Sequence, residues 1–95
     1  MAVAWKVEFT ASARREFKIL GAAPKQSAVQ VLQDLTEDAV PATAIPLRGY
    51  ASMYRIRFYR DRFRLIYWVS EKQRRVIVTR VRPRGTAYIG MRGEL

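Results

Sequence analysis

The sequence contains no cysteine and no histidine among its 95 residues. These absences exclude disulfides, the usual zinc sites, and nucleophiles that depend on a Cys–His or Ser–His pair. No apolar run approaches the roughly 18 residues of a membrane-spanning helix, and the N-terminus is an amphipathic stretch rather than a signal peptide. We therefore expect a cytoplasmic protein that binds no membrane, metal or other cofactor, so any catalysis must use other side chains.

Acidic residues are scarce in the second half of the chain. Residues 1–47 carry five Lys or Arg and five Asp or Glu, whereas residues 48–95 carry thirteen and three. The whole net charge of +10 therefore belongs to the second half, where twelve of the thirteen basic residues are arginine. The planar guanidinium group suits phosphate oxygens and base edges. A polyanion such as nucleic acid is the expected partner.

The stretch 47–69 has the period-two alternation that is typical of a β-hairpin with one buried face. In its first strand apolar side chains alternate with Arg55 and Arg57, and the second strand repeats this pattern around Arg64. A loop of two or four residues at Arg60-Asp61 places all three arginines on one face. A three-residue loop would leave guanidinium groups in the core, which is costly unless they are paired. We therefore predict an even loop.

The arginine face of this hairpin has two possible explanations. Arginines on an exposed strand are usually a solvated surface. Here six or more converge with almost no acidic partner in the sequence nearby, which favours a ligand-binding surface. Ile66 and Trp68 share the face, and we interpret them as a small packing cluster beneath the C-terminal tail rather than as base-stacking groups.

Two amphipathic helices are predicted between an N-terminal edge strand, residues 4–9, and the hairpin. Thr10 or Ser12 offers an N-cap for a helix over residues 11–20. Pro24 suits the first turn of a second helix, whose apolar stripe has the spacing i, i+3, i+4, i+7. The segment from residue 38 to residue 46 is predicted to be a loop.

A third strand is predicted over residues 75–81, with Ile77, Thr79 and Val81 inward and Pro83 at its end. The element order is then β-α-α-β-β-β in a single domain, residues 1–95. This order predicts an α+β fold with a helical hairpin on one face of an antiparallel sheet. The predicted core residues are Ala13, Phe17, Leu32, Leu35, Ile56, Phe58, Leu65 and Tyr67.

The chain resembles the RelE/ParE toxins of bacterial toxin–antitoxin systems. The resemblance rests on Leu47-Arg48-Gly49, on the strands Tyr54–Arg57 and Arg64–Tyr67, and on Arg84 followed four residues later by Tyr88. RelE-like members cut messenger RNA in the ribosomal A site, whereas ParE-like members share the fold and inhibit DNA gyrase without cutting RNA. The resemblance thus implies a ribosome-dependent endoribonuclease, or alternatively a gyrase inhibitor, and a cognate acidic antitoxin.

The RelE pattern implies a specific set of site residues. The pattern has two basic residues on the first hairpin strand, an arginine on the next strand, an arginine after the last strand and a C-terminal tyrosine. In this chain these positions are Arg55, Arg57, Arg64, Arg84 and Tyr88. The strand pair is often lysine in the family and is arginine here, and many relatives have histidine where this chain has Pro83. Further candidates for RNA contacts are Arg48, Arg62, Arg80 and Arg82. Basic residues at all four catalytic strand and tail positions, together with Tyr88, favour the ribonuclease.

Such a site suits metal-independent cleavage by the RNA's own ribose. Fixed guanidinium groups would stabilise the phosphorane that forms when a 2′-OH attacks its neighbouring phosphate. Arginine is a poor general base. Tyr88 is the candidate base because positive neighbours favour a phenolate, and in the alternative it stacks on a nucleobase. A plain RNA- or DNA-binding module is the weaker interpretation, since neither an aromatic platform nor a basic recognition helix is present.

Overall fold

The computed structural model describes residues 4–91. Its elements are β1 (Lys6–Phe9), α1 (Ala11–Lys18), α2 (Ala22–Glu37), β2 (Ile45–Pro46), β3 (Met53–Phe58), β4 (Phe63–Ser70) and β5 (Arg75–Pro83). The five strands form one sheet in the order β1-β5-β4-β3-β2. Both helices pack on one face, called the inner face below, so the predicted α+β layering is confirmed. Within residues 4–91, no helix is long and apolar enough to cross a membrane.

The helices form where their capping residues and apolar stripes predict. The Thr10 hydroxyl accepts a hydrogen bond from Ala13 N at 3.2 Å and caps α1, which ends at Lys18, two residues earlier than predicted. Pro24 lies in the first turn of α2, where a missing N–H costs nothing. Of the predicted core, Ala13, Leu35, Ile56, Phe58, Leu65 and Tyr67 are buried, and Phe17 and Leu32 pack against them.

The central hairpin has the predicted even loop. Phe58 pairs with Phe63 across four intervening residues, and Arg57 lies directly opposite Arg64. Ile56 consequently faces Leu65 on the inner side, where both are buried. The parity of this loop separates the arginines from the core.

A β-bulge in β5 corrects part of the prediction for the third strand. Ile66 of β4 pairs with Arg80, but the next residue, Tyr67, pairs with Val78, so Thr79 is an extra residue on β5. The Thr79 hydroxyl donates to the Ile66 carbonyl at 3.2 Å. Because one unpaired residue shifts the alternation, the side chains before and after Thr79 follow opposite phases.

The bulge decides which side chains of β5 are buried. Val76 and Val78 before it, and Val81 after it, are all buried on the inner face. Val81 is inward as predicted, whereas the inward placement of Ile77 and Thr79 is wrong. Counting back from Val81 in steps of two places Thr79 and Ile77 on the inner face. That count is wrong because it does not allow for the extra residue of the bulge.

The two edges of the sheet also differ from the prediction. β1 pairs in parallel with β5, from Lys6 opposite Arg75 to Phe9 opposite Val78, so the sheet is mixed rather than wholly antiparallel. The two-residue strand β2, predicted as loop, pairs with β3. The alternation of side chains in β1 does not show whether its neighbour runs parallel or antiparallel. In β2, Pro46 lacks an N–H and is compatible with a strand only at an edge of the sheet.

Candidate functional site

The outer face of the sheet, opposite the helices, carries two rows of basic side chains. The strand register places Arg57, Arg64 and Arg82 side by side across β3, β4 and β5. The adjacent row contains Arg55 and Arg80 on either side of Ile66. Directly opposed residues have their Cβ atoms about 5 Å apart, so these like charges repel unless anions lie between them.

Asp61, in the loop between β3 and β4, supplies one such anion. Its Oδ1 atom lies 3.0 Å from Arg64 Nη1 and 3.5 Å from Arg57 Nε, and its Oδ2 atom lies 3.4 Å from Arg84 Nη1. The expectation of almost no acidic partner is therefore wrong. Asp61 is the only acidic residue between positions 39 and 70. Its isolation within an arginine-rich hairpin was the available sequence signal.

Arg64 is the most firmly held member of this group. Only 4% of it is exposed. Besides the Asp61 carboxylate, its Nη1 contacts the backbone carbonyls of Asp61 at 3.0 Å and Phe63 at 3.1 Å. Its Nε is buried and has no hydrogen-bond partner among the described residues. The loop thus fixes the Arg64 guanidinium in one position and leaves one of its donors unused.

The loop itself has an unusual backbone. Three successive residues, Tyr59, Arg60 and Asp61, have φ values of 50°, 57° and 65°. This left-handed region costs about 1–2 kcal/mol per residue with a Cβ atom, and least for Asp and Asn. The loop is held at its start by a hydrogen bond from Tyr59 N to Ser27 Oγ at 3.1 Å. At its end, Arg84 N donates to the Arg62 carbonyl at 2.8 Å, which brings the tail next to the loop.

Tyr88 lies in the turns that follow β5 and points to the same face. Arg55 Nη1 donates to the Tyr88 hydroxyl at 2.8 Å, and its guanidinium carbon lies 5.9 Å from the ring centre. The tyrosine ring packs against a small apolar cluster of the outer face that includes buried Ile66 and Ala87. Ile66 packs beneath the tail as predicted, but Trp68 is 37% exposed and lies outside this cluster, so that part of the prediction is wrong.

Arg80 and Arg82 hold the tail and α1. Arg80 Nη1 donates to the carbonyls of Ala87 and Ile89, and burial, followed by the nearby charge of Arg82, lowers the pKa of Arg80. Arg82 Nε donates to Glu16 Oε2 at 2.7 Å. The sequence does not identify Glu16 as a site residue, because its partner Arg82 is 66 residues further along the chain. Arg82 Nη1 also donates to the Thr86 carbonyl at 3.3 Å, so both arginines position the segment that carries Tyr88.

The five predicted catalytic residues form two adjoining groups. Arg57, Arg64 and Arg84 share the Asp61 carboxylate, and Arg55 binds Tyr88. Positions 55 and 57 are about 7 Å apart along one face of a strand. Arg48 and Arg62 are exposed in the loops before β3 and before β4. Among residues 4–91, no group of three acidic side chains could hold a metal ion.

Solved structures of RelE proteins share this architecture. The isolated E. coli RelE toxin is 25% identical, with a TM-score of 0.76 over 84% of each chain. The RelBE2 toxin–antitoxin complex from Mycobacterium tuberculosis is 28% identical, with a TM-score of 0.72 over 88% of this chain and 95% of that chain. The chain has a RelE toxin fold. The archaeal RelE–RelB complex from Pyrococcus horikoshii, at 22% identity and a TM-score of 0.71, supports the fold alone.

The likeness to RelE is structural rather than a close match of sequence. Neither a protein-family model nor a curated protein matches this chain. In this RelE fold, the outer face of the sheet carries the arginines and Tyr88, while the helices cover the inner face. The chemistry of the site must therefore be argued from its own side chains.

Proposed function

We propose that this RelE-like chain is a toxin that cleaves translated messenger RNA on the ribosome. The observation that carries the proposal is the convergence of Arg57, Arg64 and Arg84 on a single carboxylate, on the face of the sheet where Arg55 contacts Tyr88. A position that holds one anion with three guanidinium groups suits the negative charge of a phosphorane. Guanidinium groups match carboxylate and phosphate with the same planar fork of donors.

The reaction begins at the ribose of the RNA. Its 2′-oxygen attacks the adjacent phosphorus, the bond to the 5′-oxygen breaks, and the products carry a 2′,3′-cyclic phosphate and a 5′-OH. Arg57, Arg64 and Arg84 stabilise the phosphorane. Tyr88 acts in its phenolate form: it takes the proton of the 2′-OH and becomes a neutral phenol, while the hydrogen bond from Arg55 holds its oxygen in place. The leaving 5′-oxygen takes its proton from water.

Dependence on the ribosome follows from the weak proton carriers of this site. Arginine holds its proton at neutral pH, and tyrosine is a poor base without a positive neighbour. A substrate fixed by the ribosome in the geometry for attack supplies much of the barrier reduction through orientation. We therefore expect little cleavage of naked RNA, and we place the protein in the cytoplasm with the ribosomes.

A cognate antitoxin is part of the proposal. The M. tuberculosis neighbour was solved as a toxin–antitoxin complex, and so was a further neighbour, the intact E. coli RelBE complex, which is 26% identical with a TM-score of 0.75. A chain of net charge +10 with an arginine face would bind nucleic acid unselectively when alone. We propose that an acidic, amphipathic antitoxin wraps the helical hairpin and covers part of the outer face.

The alternative is a ParE-like toxin that inhibits DNA gyrase. The named structural neighbours are RelE proteins, and an inhibitor that works through a protein surface does not need the arrangement of Arg55 and Tyr88. These observations favour the ribonuclease. The two functions differ in the fate of messenger RNA, which stays intact when gyrase is the target.

The test is cleavage of a reporter message in a translating extract. Arg84→Ala should lower the cleavage rate by about a hundredfold or more, the usual loss when a charge-stabilising donor is removed. The Arg84 side chain is 65% exposed, so its removal should leave the melting temperature unchanged. Arg14→Ala, on the exposed face of α1, is the control and should cleave normally. Intact messages with inhibited gyrase would contradict the proposal.

A further inference from the structure

We propose that Asp61 is a built-in competitor for the phosphate site. Its carboxylate occupies the position that the arginines offer to an anion, so a phosphate ligand must displace it before it can bind. The inference rests on the proposed function only for the identity of that ligand as RNA. The competition itself concerns any phosphate that reaches the site.

The contacts of Asp61 are those that a phosphate would make. Arg57 and Arg64 approach one carboxylate oxygen, and Arg84 approaches the other. The three residues come from β3, β4 and the segment after β5, so no short stretch of chain brings them together. A phosphate seated among the same three groups would lie within a few ångströms of the carboxylate, where like charges repel strongly. The site therefore holds one anion at a time.

Two of the three arginines, and Asp61 itself, are accessible to an incoming ligand. The side chains of Arg57 and Arg84 are 51% and 65% exposed, and Asp61 is 46% exposed, so its carboxylate can move into water without crossing the core. Arg64 stays in place when the carboxylate leaves, because the backbone carbonyl of Phe63 also accepts its hydrogen bond.

The loop backbone favours displacement. Tyr59, Arg60 and Asp61 are all held in the left-handed region, a strained conformation that persists only while its surroundings impose it. The ion pairs with the three arginines are part of what imposes it. A phosphate that takes over these arginines removes that constraint, so release of the loop offsets part of the cost of losing Asp61.

Asp61→Asn tests whether the carboxylate competes with phosphate for the arginines. The probes are inorganic pyrophosphate and a short 2′-deoxy oligonucleotide. Asparagine keeps the size of the side chain and its tolerance of the left-handed region, and removes only the charge. Calorimetry should show pyrophosphate binding about tenfold tighter than to the wild type, because a negative charge next to the ligand is lost. The pyrophosphate-dependent rise in melting temperature should likewise begin at about tenfold lower concentration.

Glu71→Gln is the matched control. It removes one negative charge from the exposed turn between β4 and β5, so both variants have the same net charge. Its pyrophosphate affinity should change less than about twofold, because a distant surface charge is screened by salt. Asp61→Gly, which suits a φ of 65°, is a second neutral variant with the same expectation as Asp61→Asn.

Three outcomes would overturn the inference. Equal gains in Asp61→Asn and Glu71→Gln would mean that only net charge matters. Weaker pyrophosphate binding by folded Asp61→Asn would mean that the carboxylate positions the arginines for the ligand. A gain that survives the addition of Arg84→Ala would place the extra binding elsewhere. If messages stay intact on ribosomes but the tenfold gain is found, the proposed function fails and the competition stands.

Discussion

Two tyrosines of this chain show how surroundings determine the chemistry of a hydroxyl group. The Tyr67 hydroxyl is buried and donates to the Ala39 carbonyl at 2.8 Å, and burial raises the pKa of Tyr67 well above its usual range. The Tyr88 hydroxyl instead accepts a hydrogen bond from Arg55. The carbonyl that accepts this buried hydrogen bond stabilises the neutral form of Tyr67. We therefore interpret Tyr67 as a structural residue. The oxygen of Tyr88 accepts a hydrogen bond and does not donate to a buried carbonyl of residues 4–91, which makes Tyr88 the better candidate for proton transfer.

Tyr88→Phe separates a proton-transfer role from a stacking role. Removing the hydroxyl while keeping the ring should lower cleavage on ribosomes by about a hundredfold, the lower range for loss of a general base. RNA binding should change little. Tyr50→Phe is the control, because Tyr50 packs against the same outer cluster. Near-normal cleavage by Tyr88→Phe would show that the ring, not the hydroxyl, is what matters.

The elements differ in how far sequence could predict them. The even length of the hairpin loop follows from the cost of arginines in the core, and α2 follows from its apolar stripe. The bulge at Thr79 does not follow, because a strand of β-forming residues reads the same with or without one extra position. The parallel pairing of β1 with β5 is also invisible in alternation. Local patterns fix which faces are apolar, whereas the partners of an edge strand are set by the whole chain.

The candidate site shows the same division. Its arginines and Tyr88 were predictable from strand parity and family resemblance, and the structure places them on one face. The contact of Asp61 with Arg84 was not predictable, because it depends on three left-handed residues in the loop and on the path of the tail. Neither Tyr59 nor Arg60 signals a positive φ by its residue type.

The ion pair between Glu8 of β1 and Arg75 of β5 should make the stability of the fold depend on pH. Arg75 donates to both carboxylate oxygens of Glu8, at 2.6 Å and 3.2 Å, and this hydrogen bonding lowers the pKa of Glu8 in the folded state. A lowered folded-state pKa adds stability above the unfolded value of about 4.3, and the contribution is lost as the pH falls through the folded-state value. Glu8→Gln should therefore lower stability at pH 7 and reduce its decline toward pH 3.

Denaturant unfolding at pH 7 and pH 3 measures this contribution of Glu8. Glu37→Gln, at the exposed end of α2, is the control and should keep the decline of the wild type. An NMR titration should also show the Glu8 carboxyl returning toward its usual pKa in Arg75→Gln. An unchanged titration of Glu8 in that variant would show that Arg75 is not the cause.

At the scale of the whole molecule, the net charge overstates the size of the anion-binding surface. Several arginines of the second half are used within the fold: Arg75 pairs with Glu8, Arg82 pairs with Glu16, and Arg80 holds carbonyls of the tail. The guanidinium of Arg74 lies 4.2 Å from the centre of the Trp5 ring. The surface that we propose for a polyanion is therefore the part around Arg57, Arg64 and Arg84, where Asp61 is the carboxylate partner.

Two triple variants of equal charge test whether nucleic acid is bound by this part or by the molecule's overall field. The first variant, called the helical set, changes three exposed residues of α1: Arg14→Gln, Arg15→Gln and Lys18→Gln. The second, called the outer set, changes three residues around the Asp61 loop and the start of the tail: Arg57→Gln, Arg62→Gln and Arg84→Gln.

Each set removes three positive charges, so any effect of net charge alone is the same in both. For a single strand, each phosphate contact contributes about 0.7 to the slope of log affinity against log salt concentration. The outer set should therefore lower this slope by about 2 for a short 2′-deoxy oligonucleotide between roughly 50 and 200 mM salt, whereas the helical set should lower it by less than about 1. Equal losses would mean that the oligonucleotide follows the summed charge of the molecule, and that the arginines around Asp61 do not form a specific phosphate site.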